Sequence, residues 1–238
     1  MQTVVKSPDG YWKSAAKVFS SAKMLSCAAV VCALRIAVKA LHIQIAPGVY
    51  FSFDCYVNSV GALIYGPLMG LLVGAVSDTV GAVLFPSGAY FFPFIVVEML
   101  SAFIFGLFFW KRKIDAWRAI LAKFTVSFVC NIVVNSLIMK WYYALFFTDK
   151  VYPIINGVRI AKNLILFPLE GVVISVLLGA LLPAFKAFGL VNREQQAFSV
   201  RKKDILAAVL LAVAAVGLVL FYIFFLKDFI AEHNFKLF

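Results

Sequence analysis

Long apolar runs separated by short polar breaks set the pattern of this chain. A first run covers about 24–41, and a loop reading IQIAPGVYFS follows it. A shorter second run over about 53–65 turns at Gly66 and Pro67 straight into a third that reaches Phe85. The fourth, over about 92–110, stops at KRKIDAWR, and the fifth, over about 119–147, is long enough to tilt or project. After TDKVYPIING a sixth run covers about 158–185, with Pro168 predicted to kink it. A basic connector, KAFGLVNREQQAFSVRKK, leads to a last run over about 205–226. A crossing helix needs roughly 20 apolar residues, and the runs lack the dyad alternation of barrel strands. The pattern therefore predicts an all-α integral membrane protein, a six-helix bundle with a seventh transmembrane helix at its C-terminal side. The expected divisions are a cytoplasmic N-terminal segment (1–22), a six-helix membrane domain (23–190), a basic cytoplasmic connector (191–204) and the additional helix with its tail (205–238).

The stretch over 58–110 organises the rest. Almost no charge interrupts it, yet Asp78 and Glu98 sit in mid-run. A carboxylate is costly in hydrocarbon, so one kept there is expected to face a cavity or a neighbouring helix. Small residues recur at Gly70, Gly74, Ala75, Ser77, Gly81 and Ala82. They predict close helix packing centred on Gly70-x-x-x-Gly74.

Composition narrows the function. Of 238 residues, 64% are hydrophobic and 14% charged, too few charges for a soluble globular domain. The crossings leave no room for a nucleotide-binding or catalytic domain, and no GxxxxGK[ST] loop occurs. The energy for any transport must then come from a gradient or from another protein. The net charge of +11 is assigned to topology rather than to nucleic acid. Lysines and arginines crowd the N-terminal segment, the 111–118 loop and the 186–203 connector, which predicts a multi-pass cell-membrane protein with a cytoplasmic N-terminus. The N-terminal stretch has too little apolar length before Lys23 for a signal peptide; a short interfacial helix through Tyr11, Trp12, Val18 and Phe19 is expected instead. Cys27, Cys32, Cys55 and Cys130 form no CxxC pair and read as buried hydrophobes, so no disulfide frame, zinc site or cofactor is expected.

The remaining basic residues carry the functional signal. Arg35 and Lys39 lie one helical turn apart in the first run, Lys140 near the end of the fifth, and Arg159 and Lys162 at the start of the sixth, with Asn163 beside them. All five cations fall in the outer half of the bundle, where positive-inside bias disfavours them. Snorkelling to head groups is one reading; a convergent pocket for an anionic solute, with carboxylate as the group, fits the set better. Asp78 and Glu98 then serve as partners for some of these cations or as acceptors for ligand donors. Ser127, Asn131 and Asn135 form an i, i+4, i+8 stripe that reads as interhelical glue. Tyr50, Phe51, Phe53, Tyr90, Phe91 and Phe92 flank the outer loops, as an interfacial belt or as a surface for stacking a flat heterocycle. On the first helix Ala29, Ala33 and Ala37 form a small-residue stripe, and Arg35 and Lys39 lie roughly 160° away at 100° per residue. One face is smooth, the other cationic.

With segments in this order, the chain resembles the substrate-binding (S) component of energy-coupling-factor (ECF) vitamin transporters, the folate family (FolT-type) most closely. The matching stretches are YFSF at 50–53, LIYGPLMGLLVGAVSDTVGAVLFPSGAYFFP at 63–93 and RIAKNLILFPLEG at 159–171. The resemblance covers about residues 20–190. It implies that Ala29, Ala33 and Ala37 dock on a transmembrane coupling protein (EcfT-type), and that two ATP-binding cassette ATPases supply the energy. It implies also that the vitamin is bound at the outer face and released inside when the S component topples. DCYVNSV at 54–60 departs from the more apolar second helix of the family, and the seventh run lies beyond the six-helix core.

The expected function is therefore capture of folate or a reduced folate, whose glutamate tail is anionic. Pantothenate, another carboxylate, is the nearest substitute; riboflavin fits five cations less well. A stand-alone ion-coupled secondary transporter would use Asp78 and Glu98 as coupling sites, although no inverted repeat is visible. A membrane enzyme would use Asp78 or Glu98 as acid or base, although no histidine is available in the bundle, since His42 lies in a loop and His233 in the tail, and no nucleophile–base pair is visible.

Overall fold

The computed structural model describes residues 10–41, 43–46, 49–51, 53–85, 91–146, 157–191 and 198–199, with Leu206, Val209, Leu210, Val213 and Gly217 as further helical positions. Apart from those five positions, the seventh span expected over 205–226 lies outside the described residues. So do Tyr90, Lys150, His42 and His233, and the side chains of Tyr50, Phe51 and Arg159.

The short N-terminal helix is present as α1 (Tyr11–Lys17), continued by a 3-10 turn at Val18–Ser20. Ser21 then caps α2 (Ala22–Lys39), its Oγ accepting the Met24 N–H at 3.4 Å. The chain bends by 83° between the two. Tyr11 sits edge-on to Trp110, with ring centroids 5.1 Å apart, and Trp12 stacks on Phe103 at 6.2 Å.

The segment expected as a loop after α2 holds a small antiparallel hairpin, β1 (Ile43–Ala46) with β2 (Val49–Phe51). β-Branched and aromatic residues on both sides of a Pro-Gly dipeptide account for it.

The second and third runs form one element, α3 (Asp54–Leu84), with the predicted turn as a break inside it. Gly66 has φ 82° and ψ −172°, a conformation that favours glycine. Pro67 follows and has no N–H to continue the hydrogen-bond ladder. Space demands glycine as well, because a Cβ at 66 would lie 2.6 Å from Cδ2 of Trp110.

A 3-10 turn at Phe92–Phe94 leads into α4 (Ile95–Phe109). Here the small-residue motif acts as its spacing predicts. Cβ atoms built on Gly70 and Gly74 would fall 3.2 Å from the Ala102 carbonyl oxygen and 2.9 Å from that of Glu98, so α3 and α4 meet backbone to backbone.

β3 (Ile114–Asp115) pairs in parallel with β4 (Phe198–Ser199), tying the loop after α4 to the connector after the last bundle helix. The fifth run is continuous but not uniform: α5 (Ala116–Thr125), a π-helical stretch at Val126–Val134, then α6 (Asn135–Phe146). α7 (Gly157–Ala187) carries Pro168 and Pro183. At the end of the bundle where α2 begins and α7 finishes, Lys23 Nζ donates to the carbonyls of Phe188 at 2.6 Å and Gly189 at 3.3 Å.

Among the described residues, four helical segments are long and apolar enough to cross a membrane: Asp54–Leu84, Phe92–Phe109, Ala116–Phe146 and Lys162–Ala187. The bent pair of α1 and α2 makes a fifth if taken as one span. With α3 broken at Gly66, these segments match the six predicted runs, and the chain is a multi-pass membrane protein. Its outer faces stay apolar, with Val30, Leu34, Val83 and Val176 exposed, while Leu63, Phe105, Phe109, Ile174 and Leu178 fill the interior.

Candidate functional site

Ala28, Val31 and Arg35 lie at i, i+3 and i+7 on α2 and are all buried against α3. An arginine on such a face needs compensation, because an unpaired buried charge is strongly unfavourable. It receives two carboxylates. Arg35 Nε donates to Asp54 Oδ1 at 2.9 Å and Nη2 to Asp54 Oδ2 at 2.8 Å, a fork that matches the carboxylate edge. Nη2 also donates to Glu98 Oε2 at 2.6 Å. The Arg35 side chain has no exposed surface, so it does not snorkel.

One turn further, Lys39 Nζ donates to Asp78 Oδ1 at 2.6 Å. Its stem crosses Gly81, where a Cβ would sit 2.7 Å from Lys39 Cδ. The reading of Asp78 and Glu98 as partners for the cations thus matches the geometry. The sequence did not single out Asp54 as the principal acid. Among the described residues, three carboxylates (Asp54, Asp78, Glu98) pair with two cations (Arg35, Lys39) at the α2–α3–α4 contact.

The first turns of α3 connect the whole bundle. Asn58, one turn below Asp54, donates from Nδ2 to Ser101 Oγ on α4 at 3.2 Å. Among the described residues, Asn58 Oδ1, Arg35 Nη1 and the Tyr65 hydroxyl are buried without a hydrogen-bond partner. Cys55, next to Asp54 on the same helix, packs against the main hydrophobic core. Lys123 pairs with Glu170 at 2.8 Å, joining α5 to α7, with side chains only 6% and 10% exposed. Sequence reasoning passed over both. The available signal was a lysine near the start of the fifth apolar run and a single glutamate in the sixth, the same kind of isolated charge that drew attention to Asp78.

The other expected site residues are more dispersed. Asn163 accepts from Asn131 Nδ2 at 2.9 Å, which supports the glue reading of the polar stripe. Ser127 is buried, and its Oγ has no hydrogen-bond partner among the described residues. Lys162 is half-buried on α7, and Lys140 is exposed on α6. Arg159 belongs to α7, and only its backbone is described. Ala29, Ala33 and Ala37 are all exposed on the α2 face away from Arg35.

Aromatic side chains gather where α4 begins and α6 ends. Phe91 lies 5.3 Å from Trp141, 5.5 Å from Tyr142, 5.9 Å from Phe94 and 6.0 Å from Phe146 between ring centroids. Phe94 precedes Glu98 by one helical turn. Of the other flanking aromatics, Phe53 packs on Tyr56 at 6.3 Å and Phe92 is 69% exposed.

Comparison with known proteins places this arrangement. The family of ECF-type riboflavin transporter S components matches residues 19–186. The folate transporter FolT of Clostridium novyi is 31% identical over 128 residues, covering 54% of this chain and 72% of that protein. FolT of Leuconostoc mesenteroides is 34% identical over 123 residues, covering 50% of this chain and 65% of the relative. A crystal structure of FolT bound with folic acid superposes with a TM-score of 0.55 at 25% identity, covering 64% of this chain and 89% of that one.

Proposed function

The chain belongs to the S components of ECF transporters, within the folate family, and on that basis we propose that it captures folate or a reduced folate at the outer face of the cell membrane. The observation that carries the choice of vitamin is its likeness in both sequence and fold to FolT, including FolT with folic acid bound. As an S component it is a transport subunit and not an enzyme.

The binding site we assign comprises Arg35, Lys39, Asp78 and Glu98 at its centre, with Lys140, Arg159, Lys162 and Asn163 from the fifth and sixth runs as its further polar members. The ion pairs at 2.6–2.9 Å around Arg35 and Lys39 support the first group, since they hold polar side chains in fixed orientations inside an apolar bundle. Delivery inward uses a transmembrane coupling protein of the EcfT type and two ECF ATPases, with the N-terminus in the cytoplasm. The coupling protein docks on Ala29, Ala33 and Ala37, and their common exposure opposite the buried Arg35 supports that assignment.

Calorimetric titration of the detergent-purified protein tests the ligand. Saturable binding of folic acid at one site per chain is the expected result. Binding of riboflavin or pantothenate in its place, with no response to folic acid, would overturn the assignment.

A further inference from the structure

The segment before α2 presents three stripes. Tyr11, Ala15 and Val18 lie at i, i+4 and i+7 and face the bundle: Tyr11 meets the Trp110 ring at 5.1 Å, Ala15 is fully buried, and Val18 packs on the core between α2 and α3. Trp12, Ala16 and Phe19 come one position later and are exposed. Lys13, Lys17 and Ser20 come next and are exposed too. One stripe is docked, one is apolar and one is basic. The 83° bend lays the segment across the end of the bundle, nearly at right angles to α2. An apolar stripe beside a basic one, on a helix turned across a membrane bundle, is the build of an element that lies in the membrane surface.

The loop it rests on continues the pattern. Trp110 leads into Lys111, Arg112 and Lys113, and Lys111 Nζ lies 4.6 Å from the centroid of the same Trp110 ring. Lys111 has φ 52°, a left-handed backbone that glycine or asparagine adopts with less strain. Strain kept within a run of three cations calls for a charged partner. Trp117 is 44% exposed in the first turn of the helix that follows, and Phe188 71% exposed at the end of α7. Among the described residues the acid at this end is Asp115, whose Oδ1 accepts the Arg118 N–H at 2.7 Å. We propose that α1 and the 110–113 turn form a docking surface for anionic phospholipid, with Trp12 and Phe19 entering the acyl boundary while Lys13, Lys17, Lys111, Arg112 and Lys113 meet the headgroup charge. An acidic protein would satisfy the cations but not the exposed aromatics around them, which suit a bilayer interface. The proposal goes beyond the folate reading and holds whichever vitamin is bound.

Tryptophan fluorescence of the full chain tests it in equimolar phosphatidylcholine and phosphatidylglycerol vesicles, with bromine quenchers on the acyl chains of one lipid or the other. Trp141→Phe removes the reporter at the opposite end and leaves Trp12, Trp110 and Trp117. Quenching should show a local preference of roughly fivefold for phosphatidylglycerol, the equivalent of one cation held at the lipid surface. Raised salt should reduce that preference, and so should Lys111→Asn with Arg112→Gln and Lys113→Gln, in which asparagine keeps the left-handed turn. Equal quenching by the two lipids overturns the proposal and leaves the basic surface to an acidic protein. A preference unchanged by salt and by the triple substitution overturns it as well. The salt comparison on the wild-type chain needs no variant, so it decides even if the substituted chains fail to fold.

Discussion

Lys123 and Glu170 face each other at 2.8 Å in the interior and join α5 to α7. Removing one member of a buried pair leaves an uncompensated charge, a loss of about 3–5 kcal/mol, whereas replacing both by apolar residues of similar volume is close to neutral. Lys123→Met should thus lower the unfolding free energy in detergent by about 3–5 kcal/mol. Adding Glu170→Leu should restore most of that loss. Denaturant unfolding of the two variants measures it, and a double variant as unstable as the single one would exclude simple mutual neutralisation. Residues of this kind also mark where the sequence stops being readable. A charge in an apolar run announces itself, as Asp78, Glu98, Arg35 and Lys39 did. Its partner does not, because pairing depends on which helices touch. Asp54 sits at the start of a helix, where an acid is unremarked, and only the packing of α2 against α3 reveals it as the main acceptor for Arg35.

At the level of elements, α2 shows how much a helical period can carry. The 100° step separates Ala29, Ala33 and Ala37 from Arg35, and the folded chain leaves the first three exposed and buries the fourth. Ala33→Trp should therefore abolish vitamin uptake in cells that contain the coupling module, yet leave ligand affinity of the purified protein within about threefold, a change of under 1 kcal/mol. Joint loss of uptake and binding would mean that the stripe faces the ligand or a neighbouring bundle helix. The break at Gly66 and Pro67 was legible for a similar reason: one residue tolerates φ 82° and the next cannot donate a hydrogen bond. The π-helical stretch at Val126–Val134 was not. Its residues are ordinary helix formers in a membrane run, and nothing in their order separates i→i+5 from i→i+4 bonding. The β1–β2 hairpin was missed because a loop length suited to two short strands also suits an irregular turn.

For the molecule as a whole, the question is whether it can move a solute by itself. Among the described residues, its buried charges are ion-paired within the bundle: Arg35 with Asp54 and Glu98, Lys39 with Asp78, Lys123 with Glu170. Asp78 and Glu98, the acids that a secondary transporter would need for ion coupling, are ion-paired with Lys39 and Arg35. A buried carboxylate fixed against a guanidinium or ammonium is poorly placed to load and unload a coupling ion in each cycle, since release would leave a charge uncompensated in low dielectric. Reconstituted alone in liposomes, the protein should bind folic acid but show no concentrative uptake under a proton or sodium gradient. Supplying the coupling protein, both ATPases and ATP on the cytoplasmic side should start accumulation, and omitting ATP should stop it. Uptake driven by a gradient without partners, and lost on neutralising Asp78 or Glu98, would instead assign these ion pairs to coupling.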